Sequence, residues 1–247
     1  MGFLDVEDVS KSFGGLAAIS HLTFQLKKEE ILGLIGPNGA GKTTLFNLLG
    51  GFLKPSAGDI KFNGESILGL RPHKIVKKGI AKTFQIPKPF HSLSCFENIL
   101  VSMIAKFKPP PGEELRVEEK AEEIMEIVNL RDKRTMLPGT LTQGNLKHLE
   151  VARALATDPS LLLLDEPFAG LSLSEIEKLT ALIHTLHEKG ITLVIVEHKL
   201  KELMKIVERV LVLNFGEKIA DGRPDVIIND RRVIEAYLGS GGSVGSP

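Results

Sequence analysis

One short glycine-rich segment constrains the fold of this chain more than any other feature. It reads Gly36-Pro37-Asn38-Gly39-Ala40-Gly41-Lys42-Thr43, and it fits the pattern of a glycine, four residues, then glycine, lysine and serine or threonine. The apolar run Ile31–Ile35 precedes it, and the helix-like run Thr44–Leu49 follows it. A strand that leads through such a loop into a helix is typical of phosphate binding, because glycines let successive backbone N–H groups close around an anion.

The residue types in this loop predict specific contacts with a nucleoside triphosphate. Lys42 is expected to place its charge on the β- and γ-phosphates, and the Thr43 hydroxyl is placed to bind Mg²⁺. We predict that residues 36–44, which include Thr44, together hold the phosphates of ATP.

The distribution of apolar residues indicates two kinds of strand. Apolar and polar residues alternate between His21 and Lys27, as in a half-buried strand, and Asn63-Gly64 predicts a tight hairpin. Short, wholly apolar runs are instead typical of the central strands of a parallel sheet. Such runs occur at 31–35, 161–164 and 191–196. We therefore predict an α/β fold: a P-loop nucleoside-triphosphatase core with a mostly parallel sheet, N-terminal antiparallel strands and an inserted helical subdomain.

Helix signals and breakers define the expected domains. Ser174 and Glu177 have the spacing of a capping box, and the helix that they begin is expected to end at Gly190. A second helix is predicted from Leu146 to Ala156, and the three prolines in the segment 108–112 predict a surface loop. We expect a discontinuous nucleotide-binding core, a helical subdomain and a flexible Gly/Ser-rich tail. Their respective ranges are 1–88 with 158–238, 89–157, and 239–247.

Composition and charge exclude several classes of protein. The 247 residues carry 31 basic and 31 acidic side chains, so no charge excess favours tight binding to nucleic acid, and no nucleic-acid partner is expected. Cys95 is the single cysteine, which excludes an internal disulfide. The N-terminal residues lack the pattern of a signal peptide, and the apolar runs are shorter than the roughly 18 residues of a spanning helix. The sequence thus predicts a cytosolic chain that reaches a membrane only through partners.

Acidic residues and a histidine follow two of the apolar runs. In a chain with a phosphate loop, Asp165 is placed to hold Mg²⁺, and Glu166 is placed to polarise an attacking water. His198 follows the run that ends at Val196, at the sheet edge where ligands bind.

The order of these motifs, from Val6 to about Leu238, resembles that of the ATP-binding subunits of ABC transporters. The resemblance implies that Phe13 stacks on adenine and that Gln85 touches both Mg²⁺ and the attacking water. It also implies that His198 binds the γ-phosphate, and that Thr142 and Gly144 contact the nucleotide of a second ATPase subunit. The segment Leu141-Thr142-Gln143-Gly144-Asn145 departs at three positions from the family's commonest signature, Leu-Ser-Gly-Gly-Gln.

Within the family, four segments look most like the branched-chain amino acid uptake subfamily: 13–16, 83–87, 197–198 and 235–239. The resemblance implies a Mg-dependent ATPase that dimerises around two ATP, with an identical or related partner, at the cytoplasmic face of a membrane. The further partners would be two hydrophobic membrane subunits and, indirectly, a solute-binding protein. We expect the membrane subunits to contact the surface between Ile86 and Met103.

Other function classes remain open at this stage. A soluble ABC ATPase that acts on nucleic acid or ribosomes shares every nucleotide motif, although it usually has a long coiled coil or two tandem ATPase units. A P-loop kinase for a small molecule is a third possibility, although it would not need Gln85, the 141–145 segment and His198 together. An importer ATPase for a different small solute would share all these motifs as well.

Overall fold

A computed structural model describes residues 2–106 and 114–239. The strands are β1 (Leu4–Phe13), β2 (Leu16–Leu26), β3 (Ile31–Ile35), β4 (Ala57–Phe62), β5 (Glu65–Ser66), β6 (Ile80–Lys82), β7 (Leu161–Asp165), β8 (Thr192–Val196), β9 (Arg209–Asn214) and β10 (Glu217–Gly222). The α-helices are α1 (Lys42–Leu49), α2 (Pro72–Lys78), α3 (Cys95–Lys106), α4 (Glu114–Ile127), α5 (Gln143–Leu155), α6 (Leu173–Glu188), α7 (Leu200–Leu203), α8 (Pro224–Ile227) and α9 (Arg231–Gly239). This content confirms the predicted α/β class.

The chain divides into two compact units. The first unit comprises Met1–Pro72 and Thr192–Pro247, and the second comprises His73–Ile191. The domain ranges expected from the sequence stay a prediction, although α3, α4 and α5 do lie in the segment 89–157 that was expected to be helical.

The first unit contains an antiparallel sheet and a group of mainly parallel strands. The antiparallel sheet has the order β2-β1-β4-β5, and its last two strands are joined at Asn63 and Gly64. Both turn residues have positive φ, 50° and 79°, as a two-residue hairpin of this kind requires, so the predicted hairpin is confirmed. In the other group β3 lies between β8 and β9 and runs parallel to both, while β10 pairs with β9 in the antiparallel direction.

The second unit combines a parallel strand pair with helices. Strands β6 and β7 pair with Ile80 opposite Leu161 and Lys82 opposite Leu163. Helix α5 packs against α3, α4 and α6. Every residue of β7 is buried, as the wholly apolar run predicted, and the same holds for β3 and β8 in the first unit.

Two helix starts were predicted wrongly. Helix α6 begins at Leu173 with Ser172 as its cap, and Glu175 completes the capping box, so the pair Ser174 and Glu177 does not cap it. Two overlapping Ser-x-x-Glu patterns occur here, and the first one captures the free N–H groups of the helix. Helix α5 begins at Gln143 rather than Leu146, because the Thr142 side chain already caps it.

The predicted proline-rich loop and most of the predicted C-terminal tail lie outside the part of the chain that the structure describes. The predicted proline loop at 108–112 lies outside the described residues, as does the predicted tail apart from Gly239, which is the last residue of α9. Cys95 is fully buried at the start of α3. Over the described ranges, no helix has the length and apolar character needed to cross a membrane.

Candidate active site

The shape of the phosphate loop is set by the backbone around it. Gly36 has a φ of 152°, and a Cβ placed there would lie 2.2 Å from the carbonyl oxygen of Leu213. At the other end of the loop, a Cβ on Gly41 would lie 2.6 Å from the carbonyl oxygen of Ala18. Neighbouring backbone therefore excludes any side chain at either end, and this explains why both positions are glycine.

The loop ends at the N-terminus of α1, where two of the predicted phosphate ligands lie. Lys42 is buried, and its Nζ donates hydrogen bonds to the carbonyl oxygens of Gly36 (2.6 Å) and Pro37 (2.9 Å). Thr43 is exposed and Thr44 is half-buried. Of the other predicted loop residues, Asn38 and Gly39 are exposed, whereas Ala40 is buried. An ammonium group, hydroxyls and the positive end of a helix dipole thus lie together, as an anion site requires.

A tyrosine from the last helix contacts this loop. The Tyr237 hydroxyl accepts a hydrogen bond from the backbone N–H of Gly36 at 2.9 Å. Burial raises the pKa of this phenol to about 12. Helix α9 is therefore tied directly to the first residue of the phosphate loop, through a residue to which the sequence assigned no role.

His198 and Phe13 are the other predicted nucleotide contacts in the first unit. In the parallel pair β3 and β8, Leu34 lies opposite Val196, so Gly36 and His198 leave the same edge two residues further on. His198 is exposed, and its N–H donates to the Glu197 carboxylate at 3.1 Å. Phe13 ends β1 and is 48% exposed, which leaves part of its ring open for stacking.

In the second unit, Asp165 ends β7 and is paired with a lysine. Its Oδ2 lies 3.1 Å from Nζ of Lys82, the last residue of β6, and the side chains of both are buried. The Asp165 N–H donates to the Thr83 hydroxyl at 3.2 Å. The carboxylate predicted to hold Mg²⁺ is therefore held in a buried ion pair.

Glu166 and Gln85, predicted to act on the same water, are in direct contact. The Gln85 side-chain amide donates to Glu166 Oε2 at 2.7 Å. Glu166 has a φ of 48°, a backbone conformation that few residues other than glycine adopt. The buried Lys147 of α5 donates to the backbone carbonyl oxygens of both residues, at 2.8 Å for Gln85 and 3.0 Å for Glu166.

The 141–145 segment forms the start of α5. The Thr142 hydroxyl accepts a hydrogen bond from the Asn145 N–H at 3.3 Å, and the Gly144 N–H donates to Glu175 Oε1 at 3.2 Å. The N–H and the hydroxyl of Ser172 also donate to Glu175 and lower the pKa of its carboxyl. Both groups expected to meet a second subunit's nucleotide are thus bonded within this chain.

The surface between Ile86 and Met103 is partly apolar and exposed. Phe90 is 46% exposed and Ile86 72%, whereas Phe96 is buried. Leu93 and Leu100 are half-buried. Phe96 therefore belongs to the core, whereas Ile86 and Phe90 are accessible at the surface.

Three residues of these sites were missed by the sequence analysis. Lys82 had a weak signal, because a charged residue ends an apolar run just before Thr83-Phe84-Gln85. Tyr237 also had a weak signal, because it is the single tyrosine of the chain. Lys147 had no signal, since it lies in a helix with two other charged residues, Glu150 and Arg153, and its role depends on two distant carbonyl groups.

Comparison with known proteins identifies the family to which this chain belongs. The family model described as "ABC transporter" matches residues 19–169, and one described as "Branched-chain amino acid ATP-binding cassette transporter" matches residues 217–243. The first covers more than half of the chain. The chain therefore belongs to the ABC transporter family and is one of its ATPases.

One transport protein and two solved cassette structures are similar to this chain over most of its length. The chain is 40% identical to the high-affinity branched-chain amino acid transport ATP-binding protein BraF of Pseudomonas aeruginosa, over 96% of this chain and 97% of the relative. It is 33% identical, with a TM-score of 0.88, to the ADP conformation of the ATP-binding cassette MJ1267, covering 97% and 99% of the two chains. For the dimeric post-hydrolysis state of the cassette MJ0796 bound to ADP and Pi, the identity is 25% and the TM-score 0.80, over 90% and 98%.

Proposed function

We propose that this chain is the ATP-hydrolysing subunit of an importer. In this proposal it dimerises around two ATP molecules and drives solute through two separate membrane subunits. The observation that carries the proposed chemistry is the 2.7 Å hydrogen bond between the Gln85 amide and the Glu166 carboxylate. An amide and a carboxylate that lie next to each other can both contact one water beside them, with the carboxylate as the acceptor of its proton, as hydrolysis of a phosphoanhydride needs.

In the proposed reaction, each of these groups acts on the attacking water, the γ-phosphate or the adenine of ATP. Glu166 accepts a proton from water as the water oxygen attacks the γ-phosphorus, and the bond from that phosphorus to the oxygen of the departing ADP breaks. Lys42 and His198 stabilise the charge on the transferred phosphoryl group, and Phe13 stacks on the adenine. A general base of this kind contributes roughly 10²- to 10⁴-fold to the rate.

We propose Mg²⁺ as the cofactor, because the chemistry of the expected ligands suits it. The Thr43 hydroxyl, the Asp165 carboxylate and the Gln85 amide all offer oxygen, and Mg²⁺ typically binds through one or two carboxylates together with phosphate oxygens. Bound there, the ion would neutralise charge on the β- and γ-phosphates. The Lys82 ammonium group, 3.1 Å from Asp165 Oδ2, holds this carboxylate in place.

A second ATPase subunit and the membrane subunits complete the proposal. Thr142 and Gly144, at the start of α5, would face the nucleotide of the second subunit, which is identical or related. The partly exposed apolar surface between Ile86 and Met103 follows Gln85 directly in the chain, so contacts with a membrane subunit there would reach the attacking water. Through these subunits the chain would lie at the cytoplasmic face of the membrane, with a solute-binding protein as an indirect partner.

Branched-chain or other hydrophobic amino acids are the solutes that we propose. Two findings support this: the match of residues 217–243 to the branched-chain cassette model, and the 40% identity to a branched-chain amino acid transport protein. The net charge of zero gives no support to the nucleic-acid alternative.

The test is the replacement Glu166→Gln, which keeps the size of the side chain and removes its basicity. We expect ATP to bind with parental affinity while steady-state release of phosphate falls at least about 10²-fold. In cells lacking the chain, the parent should restore uptake of labelled leucine and the variant should not.

Glu177→Gln is the matched control, because this exposed glutamate lies on α6 and has no proposed role. Its ATPase rate should equal that of the parent. Hydrolysis by Glu166→Gln within a few-fold of the parent would contradict the role of Glu166. If the parent chain hydrolyses ATP but does not restore leucine uptake, only the proposed solute is contradicted.

A further inference from the structure

One buried ammonium group links the two loops that carry the proposed water-activating pair. Strands β6 and β7 are parallel, with Lys82 opposite Leu163, and Gln85 and Glu166 each lie three residues beyond these partners. Both loops therefore leave the same edge of the strand pair in register. Lys147, which is 4% exposed, reaches this edge from α5 and donates to the carbonyl oxygens of Gln85 and Glu166.

Each of these residues is thus held at its backbone and at its side chain. The side chains meet in the hydrogen bond between the Gln85 amide and Glu166 Oε2, and the backbone carbonyls share one ammonium group. The Glu166 carbonyl also accepts from the Ala169 N–H at 3.2 Å. Because Glu166 has a φ of 48°, its peptide group needs such partners to stay in this conformation.

The position of Lys147 in α5 also connects Gln85 and Glu166 to the start of this helix. The helix begins at Gln143, so Lys147 lies just over one turn from its N-terminus, where Thr142 is the cap. A shift or rotation of this helix start would therefore move the ammonium group, and with it the backbone of Glu166.

We propose that Lys147 is a positioning residue for ATP hydrolysis, which holds Glu166 and Gln85 in the arrangement that activates water and couples that arrangement to the start of α5. This inference rests on the function proposed above. Lys147 acts through Glu166 and Gln85 rather than on the nucleotide. A lysine that only filled space in the core would be replaceable by methionine, which is unbranched, similar in volume and lacks hydrogen-bond donors.

The experiment compares Lys147→Met, Lys147→Arg and the parent in the full-length chain. Lys147→Met should lower kcat by about 10²-fold, as displacement of a reacting group by about 1 Å does, and leave the KM for ATP within two-fold. Lys147→Arg keeps donors at this position and should recover kcat to within about five-fold of the parent. Lys120→Met is the matched control, because this exposed lysine on α4 pairs only with Asp158 among the contacts described, and its kinetic constants should not change.

Circular dichroism establishes that each variant is folded, and Lys147→Leu, which also lacks donors, takes the place of Lys147→Met if the latter does not fold. A parental kcat in the folded Lys147→Met or Lys147→Leu variant would overturn the positioning role, and so would a loss of kcat that Lys147→Arg does not restore. The Glu166→Gln variant separates the two proposals. If it hydrolyses ATP at the parental rate, the proposed role of Glu166 fails, and the role of Lys147 fails with it; if it is inactive while Lys147→Met keeps its kcat, only the role of Lys147 fails.

Discussion

The phosphate loop of the first unit and the carboxylate cluster of the second are held in place by different forces. The loop takes its shape from backbone packing: at Gly36 a carbonyl oxygen occupies the space that a side chain would need. The cluster around Asp165 and Glu166 is held by the long side chains of Lys82, Lys147 and Gln85. The loop should therefore be sensitive to added volume, whereas the cluster should be sensitive to lost charge or lost donors.

The largest effect is expected for Gly36→Ala. The new methyl group would lie 2.2 Å from the Leu213 carbonyl oxygen, at a φ of 152° that alanine avoids. We expect the free energy of unfolding to fall by about 3 kcal/mol or more, and ATP binding to be lost. Denaturant unfolding and nucleotide titration measure the two quantities.

Gly39→Ala is the control within the same loop. Its φ is 80°, but nothing lies within 4 Å of the added methyl group. Only the backbone cost of about 1 kcal/mol should remain. Equal losses for the two variants would show that backbone conformation, not the contact with Leu213, makes glycine necessary at position 36.

A smaller but still large effect is expected for Lys82→Met in the second unit. This change keeps the volume and removes the charge that faces the buried Asp165 carboxylate. Breaking a buried pair from one side leaves an uncompensated charge, so we expect a loss of about 3 kcal/mol in the free energy of unfolding. Thermal and denaturant melts measure it.

Lys61→Met provides the comparison, because Lys61 pairs with Glu7 at the surface of the first unit. Solvent screens that pair, so its loss should leave the unfolding midpoint almost unchanged. A Lys82 variant as stable as the parent would mean that charge does not stabilise the cluster.

The smallest effect is expected for Tyr237→Phe, which removes one hydroxyl and leaves the ring. The N–H of Gly36 loses its acceptor, at a cost of about 1 kcal/mol in the free energy of unfolding. The folded-state pKa of about 12 lies above the ordinary value near 10. The stabilisation that Tyr237 provides is thus fully present below pH 10 and is lost as the pH rises from about 10 towards 12. A parent and a variant with the same pH dependence of unfolding across this interval would contradict this assignment.

The comparison also explains which parts of the molecule could be predicted from sequence. The phosphate loop could be predicted because the spacing of its glycines is visible in the sequence, although Leu213 and Ala18, which exclude side chains there, are distant in the chain. The buried strand β3 and the hairpin at Asn63-Gly64 could be predicted from consecutive residues. The start of α6 was misjudged by two residues because two capping patterns overlap, and only the packed structure selects Ser172.

Only some residues of the cluster around Asp165 and Glu166 could be predicted from the sequence. Asp165, Glu166 and Gln85 could be named because they follow apolar runs or match a family motif. The lysines that hold them could not, because the pairing of Lys82 with Asp165 requires the register of β6 and β7. The bonds of Lys147 to Gln85 and Glu166 require a helix from elsewhere in the chain.

The contact between Tyr237 and Gly36 also has an optical consequence. The chain contains one tyrosine and no tryptophan, so ultraviolet emission excited at wavelengths that its phenylalanines do not absorb comes from a single ring, whose hydroxyl touches the phosphate loop. Intensity, lifetime and quenching of that emission report the surroundings of one atom pair rather than an average over many chromophores. The wild-type polypeptide thus carries a built-in fluorophore for observing its nucleotide loop, with no dye attached and no residue replaced.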